Sequence, residues 1–204
     1  MAAGAPYRDA VRMESVRMAY GNVVALHDVD FAVGRNEIVG LIGDNGAGKS
    51  TLIKVMTGVE RPTAGRLFIR GAEVDFADWS VRRAHELGIE TVYQEKSLGE
   101  KQPLWRNFFV GRQSVNRLGF IDVKAERAIA DDILRNRIGF RGVGIDSDSP
   151  VSKLSGGERQ GVSIGRAMHF QKDLIVLDEP TVALAIKEVR KDLDFVRGIK
   201  EQGK

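Results

Sequence analysis

The 204-residue chain contains no cysteine, which excludes disulfide staples, thiolate metal sites and cysteine nucleophiles. It also lacks a long apolar run, since nothing approaches the roughly 20 residues that a bilayer-spanning helix requires. The opening MAAGAPYRDA has neither the basic start nor the apolar stretch of a secretion signal, so any role at a membrane is expected to come through a partner. A charge excess is missing too. Lysine and arginine number 31 against 28 acids, a net charge of +3, and the basic residues are scattered among the acids, so no nucleic-acid partner is expected. What is there, 43% hydrophobic and 29% charged residues, is the composition of one ordinary globular domain.

Alternating apolar positions over residues 11–20 and 23–33 predict two strands joined by a turn at Gly21-Asn22. The run Ile38, Val39, Leu41, Ile42 predicts a short strand ending at Gly43, followed by a glycine-rich loop and a helix from about Lys49. A second hairpin is predicted for 66–69 and 72–76 across Arg70-Gly71, then a helix over 78–87 and a strand over 89–93. From 95 onward the pattern turns helical. Asp122 is a candidate N-cap, and Ala125, Ile129 and Ile133 recur on one face, so residues of about 95–165 read as an inserted helical subdomain. The unbroken apolar segment 174–177 predicts a strand buried in a parallel sheet, and a last helix over 187–202 stops at Gly203. Residues 1–10 read as a flexible N-terminus preceding a single domain over 11–204.

Gly43-Asp44-Asn45-Gly46-Ala47-Gly48-Lys49-Ser50 matches the phosphate-loop pattern GxxxxGK[ST] at every fixed position. Glycines permit the positive φ angles that turn backbone N–H groups inward and let phosphate oxygens approach without meeting a Cβ. Lys49 supplies a point charge for phosphates, Ser50 a hydroxyl for Mg²⁺ and Thr51 a further hydroxyl, and the following helix aims its positive end at the same place. A chance match has a likelihood on the order of 1% at average composition.

Leu154-Ser155-Gly156-Gly157-Glu158-Arg159-Gln160 carries a second signal. Ser155 and Glu158 have capping-box spacing, yet capping does not call for two glycines, each of which weakens a helix by roughly 1 kcal/mol relative to alanine. Bare N–H groups at a helix start, beside a hydroxyl, suit a phosphate brought by another molecule. LSGGERQ is similar to the signature motif of ABC ATPases, and with the phosphate loop it makes the chain resemble ABC transporter ATP-binding proteins from Tyr20 to the end. ETVYQ, LWRNFFVGR and DEPTVALAIKE narrow the resemblance to ATPases of bacterial ribose-, xylose- and fructose-type importers.

The resemblance implies an α/β phosphate-loop NTPase fold with a mainly parallel sheet core, an N-terminal antiparallel β part and the helical insertion. It implies ATP and Mg²⁺. Asp178 and Glu179 directly follow the 174–177 strand, at the sheet edge where such folds bind ligands. They read as the Mg²⁺ partner and as the base that readies the attacking water. Gln94 reads as the residue that senses Mg²⁺ and the transmembrane partner. Tyr20 reads as an aromatic that stacks on adenine, or else as a residue packed on the core. Ser155, Gly156, Gly157 and Gln160 are assigned to the ATP held by a second ATPase subunit. Transmembrane permease subunits and, indirectly, an extracytoplasmic sugar-binding protein complete the partners, with the chain peripheral on the cytoplasmic face of the bacterial plasma membrane.

Two departures from the family pattern stand out. Ala185 occupies a position where many members have aspartate, and no histidine follows Glu179, whereas the family's switch histidine lies on a strand beyond the last helix. The chain is therefore expected to be a truncated ATPase that energises an importer, or alternatively a nucleotide-binding fragment with little or no turnover. A soluble ABC ATPase of translation or DNA repair is a third reading. His27, His85 and His169 have no metal-ligand spacing, Trp79 and Trp105 read as packing residues, and Asp146 and Asp148 as a solvated loop.

Overall fold

The two N-terminal strands form one long hairpin in the computed structural model, which describes residues 8–92, 98–140, 144–170, 173–177 and 200. β1 (Asp9–Tyr20) pairs antiparallel with β2 (Val23–Gly34) around Gly21. Its buried side chains are Ala10, Val11, Met13, Val16 and Met18, and between Met13 and Val16 the alternation slips by one position. The slip falls at Ser15, whose φ is +47° and whose N–H leaves the ladder to donate to Asp30 Oδ1 at 2.7 Å. A bulge of this kind keeps both halves of the strand facing the core.

β3 (Ala64–Ile69) lies on the other edge of β1, and β4 (Ala72–Glu73) completes a sheet of order β2-β1-β3-β4. Arg70 and Gly71, at φ +50° and +78°, make the two-residue turn whose twist matches a hairpin. β4 stops sooner than expected. Past it, Asp75 Oδ1 accepts the N–H of Ala77 at 2.8 Å, an Asx turn that diverts the chain.

Helix α1 (Lys49–Met56) buries Leu52, Val55 and Met56 in a core shared with Val11, Met13, Leu67, Ile69 and Trp79. Each such side chain contributes about 1.5–3 kcal/mol by leaving water. The Trp79 indole donates to Val55 O at 2.7 Å, so its burial leaves no unpaired N–H. The helix expected over 78–87 starts later, as α2 (Val81–Glu86), because Ser80 caps it by accepting the N–H of Arg83.

β5 (Ile89–Val92) and β6 (Leu174–Leu177) pair in a second sheet. The N–H groups of Asp173 and Leu174 both donate to Gly88 O, at 3.0 and 3.1 Å, so the strands begin abreast and run parallel. Arg70 fastens that start, donating to Leu87 O at 2.5 Å and pairing with Asp173 at 2.8 Å. Val176 is buried and the other three β6 residues are half-buried. The strand expected over 38–42 is not formed: Ile38, Val39, Leu41 and Ile42 are exposed, Ile42 by 94%. An apolar run becomes a strand only when neighbouring strands satisfy its backbone and cover its side chains, and none of the described strands pairs with it. Of the helix expected over 187–202 only Lys200, which is helical, lies among the described residues; the rest of it and Ala185 lie outside them.

Contacts divide the chain into two units, one holding the residues up to Thr91 together with β6, the other running over Val92–Gln171. The second is built from α3 (Leu104–Phe109), α4 (Val123–Asp132) with a π-helical turn continuing it over Ile133–Arg137, and α5 (Gly156–His169). Asp122 caps α4 as its sequence predicts, accepting the N–H of Ala125 at 3.0 Å. Leu104, Phe108, Phe109, Ile133, Leu134 and Val162 form the core. Buried Asn107 ties the chain before α3: its Oδ1 accepts from Gly99 N at 2.7 Å, and its amide donates to the carbonyls of Gly99, Gln102 and Pro103. No helix among the described residues is long and apolar enough to cross a membrane.

Gly161 and Gly165 let α5 approach the π-helical turn and the Ile138 that ends it. A Cβ on Gly165 would lie 2.7 Å from Ile138 Cδ1 and 2.9 Å from Ile133 Cγ2. Gly165→Ala should therefore lower stability by about 1–3 kcal/mol through overpacking, despite alanine's better helix propensity. Denaturant unfolding followed by circular dichroism tests this, and an unchanged or raised midpoint would contradict the packing account.

Candidate functional site

Helix α1 starts at Lys49, with Gly48 as its cap residue accepting the N–H of Leu52 at 2.8 Å. No side chain caps this end, so its first N–H groups have no intrahelical partner and present the helix's positive pole. Gly46 and Gly48 sit at φ +89° and +88°, a region that a Cβ resists. Their surroundings differ. A Cβ on Gly48 would lie 2.7 Å from Ala25 O and 3.0 Å from Leu26 Cδ2, so the loop rests directly on β2, whereas Gly46 has nothing within 4 Å of that position. The loop is braced on one side and bare on the other, and Ala47 N closes its turn by donating to Asp44 O at 3.1 Å.

Lys49 folds back over the loop, its ammonium donating to Gly43 O at 2.5 Å and Asp44 O at 2.7 Å. These bonds use two of its three N–H groups and are made to carbonyls, so the positive charge stays available to an anion. Ser50 is exposed and Thr51 half-buried in the first turn of α1; Asn45 is exposed, and the Cβ position of Gly43 would meet Ala47 Cβ at 3.4 Å. Exposed amides, a helix start and an ammonium with no carboxylate partner among the described residues form a nest suited to an anion of several phosphate groups.

Tyr20 is 42% exposed and is not among the residues of the core cluster around β1. The strand register pairs Met18 with Leu26, the residue against Gly48, and Tyr20 with Val23. Tyr20 thus stands two residues further along β1, about 7 Å at ordinary strand rise. The contribution of β2 was not legible in the sequence: the Ala25 carbonyl and Leu26 form the wall under the loop, and an apolar strand residue gives no local sign of such a contact.

In the second unit Ser155 caps α5. Its Oγ accepts from Glu158 N at 3.4 Å and donates to Glu158 Oε2 at 2.8 Å, and the same carboxylate oxygen accepts Ser155 N at 2.8 Å. The capping-box reading of the segment is correct as local structure. Gly156 and Gly157 occupy the first two helical positions, where N–H groups lack intrahelical acceptors, and Gln160 is half-buried one turn on. Arg159 ties this helix start down, donating to Leu154 O at 3.2 Å and pairing with Glu100 at 3.2 Å.

Gln94, Asp178 and Glu179 lie outside the described residues; β5 and β6 end at Val92 and Leu177, just before them. Among the described residues no three His, Asp or Glu side chains group to hold a metal. His169 packs edge-on against Phe109 and Phe170, His27 is exposed beside Asp28, and Trp79 and Trp105 are buried. The exposed Asp146 shapes a turn. The Ser149 hydroxyl holds its carboxyl below the ordinary value, against a smaller opposing effect of desolvation, and Asp148 pairs with Arg127 at 2.7 Å.

Residues 26–182 match the family model described as ABC transporter. The chain is 39% identical over 198 residues to a xylose/arabinose import ATP-binding protein of Sulfolobus acidocaldarius, covering 96% of this chain and 75% of that protein. It is 39% identical over 193 residues to a ribose import ATP-binding protein of Burkholderia cenocepacia, covering 95% of this chain but only 37% of the relative. The chain therefore spans little more than a third of the ribose relative's length. A nucleotide-free ATP-binding cassette from an ABC transporter superposes with a TM-score of 0.78 at 24% identity, over 96% of this chain and 78% of that one. A Clostridium perfringens protein described as part of an ABC transporter complex gives 0.76 at 22% identity, over 96% and 75%. Sequence relatives, fold and the glycine loop agree: the chain belongs to the ABC transporter family, as an ATPase domain with the phosphate-loop NTPase fold.

Proposed function

We propose that this domain binds ATP with Mg²⁺ at the loop of residues 43–51, hydrolyses it, and so energises import of a monosaccharide through a membrane permease. The observation that carries the reading is the braced loop: Gly48 fixed against Ala25 O, Gly46 bare, and the Lys49 ammonium drawn back onto the carbonyls of Gly43 and Asp44. The names of the relatives, import proteins for xylose, arabinose and ribose, support a sugar as cargo.

In this reading the amides of residues 46–50 and the Lys49 ammonium hold the β and γ phosphates, and Tyr20 lies along the adenine. The oxygen donors of Ser50, Asp178 and Gln94 fit a hard cation, and Mg²⁺ held by them would neutralise charge on the phosphates. Glu179 takes a proton from the water that attacks the γ phosphorus as the bond to the β-bridging oxygen breaks. The start of α5 serves a second copy: Gly156 and Gly157 N–H, with Ser155 and Gln160, meet the ATP of the partner. The Ser155 hydroxyl must first turn from Glu158 to do so, since that bond occupies its proton. Permease subunits and an extracytoplasmic sugar-binding protein complete the assembly at the cytoplasmic face of the membrane.

One observation favours a second reading, a nucleotide-binding unit with little turnover. The segment leading into the loop, residues 38–42, is exposed and pairs with no strand among the described residues, and catalysis needs rigid placement more than binding does. Two measurements separate the readings. Lys49→Ala should weaken ATP binding about 10- to 100-fold, as for loss of charge-assisted hydrogen bonds, in a calorimetric titration of folded protein; unchanged affinity would sink both. Glu179→Gln should leave ATP affinity within about twofold while lowering Mg²⁺-dependent phosphate release at least about 100-fold. Equal release from both proteins would remove Glu179 from the chemistry, and no release from either would select the second reading.

A further inference from the structure

The segment between α3 and α4 is a tight hairpin that the nucleotide chemistry does not use. Val115 bridges Ile121, Asn116 N donates to Phe120 O at 2.8 Å, and Gly119 N to Asn116 O at 3.0 Å. The Asn116 side chain accepts from Leu118 N and Phe120 N at 2.9 and 3.1 Å. At the base, Asp122 N donates to Ser114 O at 2.8 Å, and the fully buried carboxylate of Glu126 accepts Ser114 N at 2.6 Å. This lattice holds apolar side chains in water: Leu118 is 80% exposed, Phe120 69%, Val115 63% and Ile121 47%, with Val110, just after α3, 63% exposed as well. A fold gains nothing from a rigid exposed apolar tip, which marks a contact surface.

We propose that this hairpin is a membrane-contact element, seating Leu118 and Phe120 in the headgroup region of an anionic lipid bilayer. Arg117 and Lys124 are exposed and would meet the lipid phosphates. The hairpin's one acid, Asp122, is half-buried and committed to capping α4. Apolar groups are exposed at the tip and lower on both strands, which suits an apolar medium surrounding a knob rather than one complementary protein face. Basic residues beside bulky apolar ones are the composition that peripheral elements use at anionic interfaces.

Co-sedimentation of the full chain with phosphatidylglycerol–phosphatidylcholine vesicles tests the proposal, with pure phosphatidylcholine vesicles as control. Wild-type protein should bind the anionic vesicles and lose most of that binding at high salt. The double variant Leu118→Asp, Phe120→Asp should bind at least about tenfold more weakly, and Arg117→Glu, Lys124→Glu about three- to tenfold more weakly, with circular dichroism and ATP affinity unchanged. Failure of the wild type to bind anionic vesicles, or equal binding by the double aspartate variant, would overturn the proposal. So would a dimer in sedimentation velocity that the aspartates abolish without any vesicle binding, which would assign the tip to a second copy of the chain.

Discussion

The nucleotide end of the molecule depends on one close approach, that of Gly48 to the carbonyl of Ala25. Because no Cβ fits there and φ is +88°, only glycine lets the chain turn from the loop into α1 while lying on β2. That contact sets where the helix begins, and so which amides stay unpaired. Lys49 completes the arrangement from the other side by drawing in the carbonyls of Gly43 and Asp44. With carbonyls turned toward a cation and amides left at a helix start, the loop carries a fixed local dipole before any ligand arrives.

Much of this was legible in the sequence because its signals are local. Glycines spaced around Lys49 locate the loop, Gly21-Asn22 and Arg70-Gly71 locate turns, and Asp122 and Ser155 announce helix starts by their chemistry. What was not legible depends on distant neighbours. The bulge at Ser15 is stabilised by Asp30, the wall under Gly48 comes from β2, and the demand for glycine at position 165 comes from Ile133 and Ile138. The 38–42 segment shows the same limit in reverse. Its side chains have the right pattern for a buried strand, but a strand is a property of its partners, and the described sheets provide none.

Helix α5 shows stability and recognition drawing on the same groups. The Ser155–Glu158 box satisfies the helix start, yet it places a carboxylate where an incoming phosphate would need positive potential. Gly156 and Gly157 weaken the helix while leaving its first amides unobstructed by side chains. The hairpin over residues 114–122 makes the opposite choice, with the side-chain oxygens of Asn116 and Glu126 accepting its backbone N–H groups while apolar groups stay exposed. In both places the local arrangement departs from the most stable one at the surface proposed above to meet another molecule.

The central claim is that backbone amides at the start of α1, rather than side chains elsewhere, grip the phosphates. Amide resonances of residues 46–50, followed by ¹⁵N-correlated NMR during an ATP titration, test it most directly. The account predicts that these amides shift together with one binding constant and become protected from hydrogen exchange, while adenosine alone leaves them unmoved. ATP binding that perturbs other amides and leaves Gly46, Gly48 and Lys49 in place would contradict it.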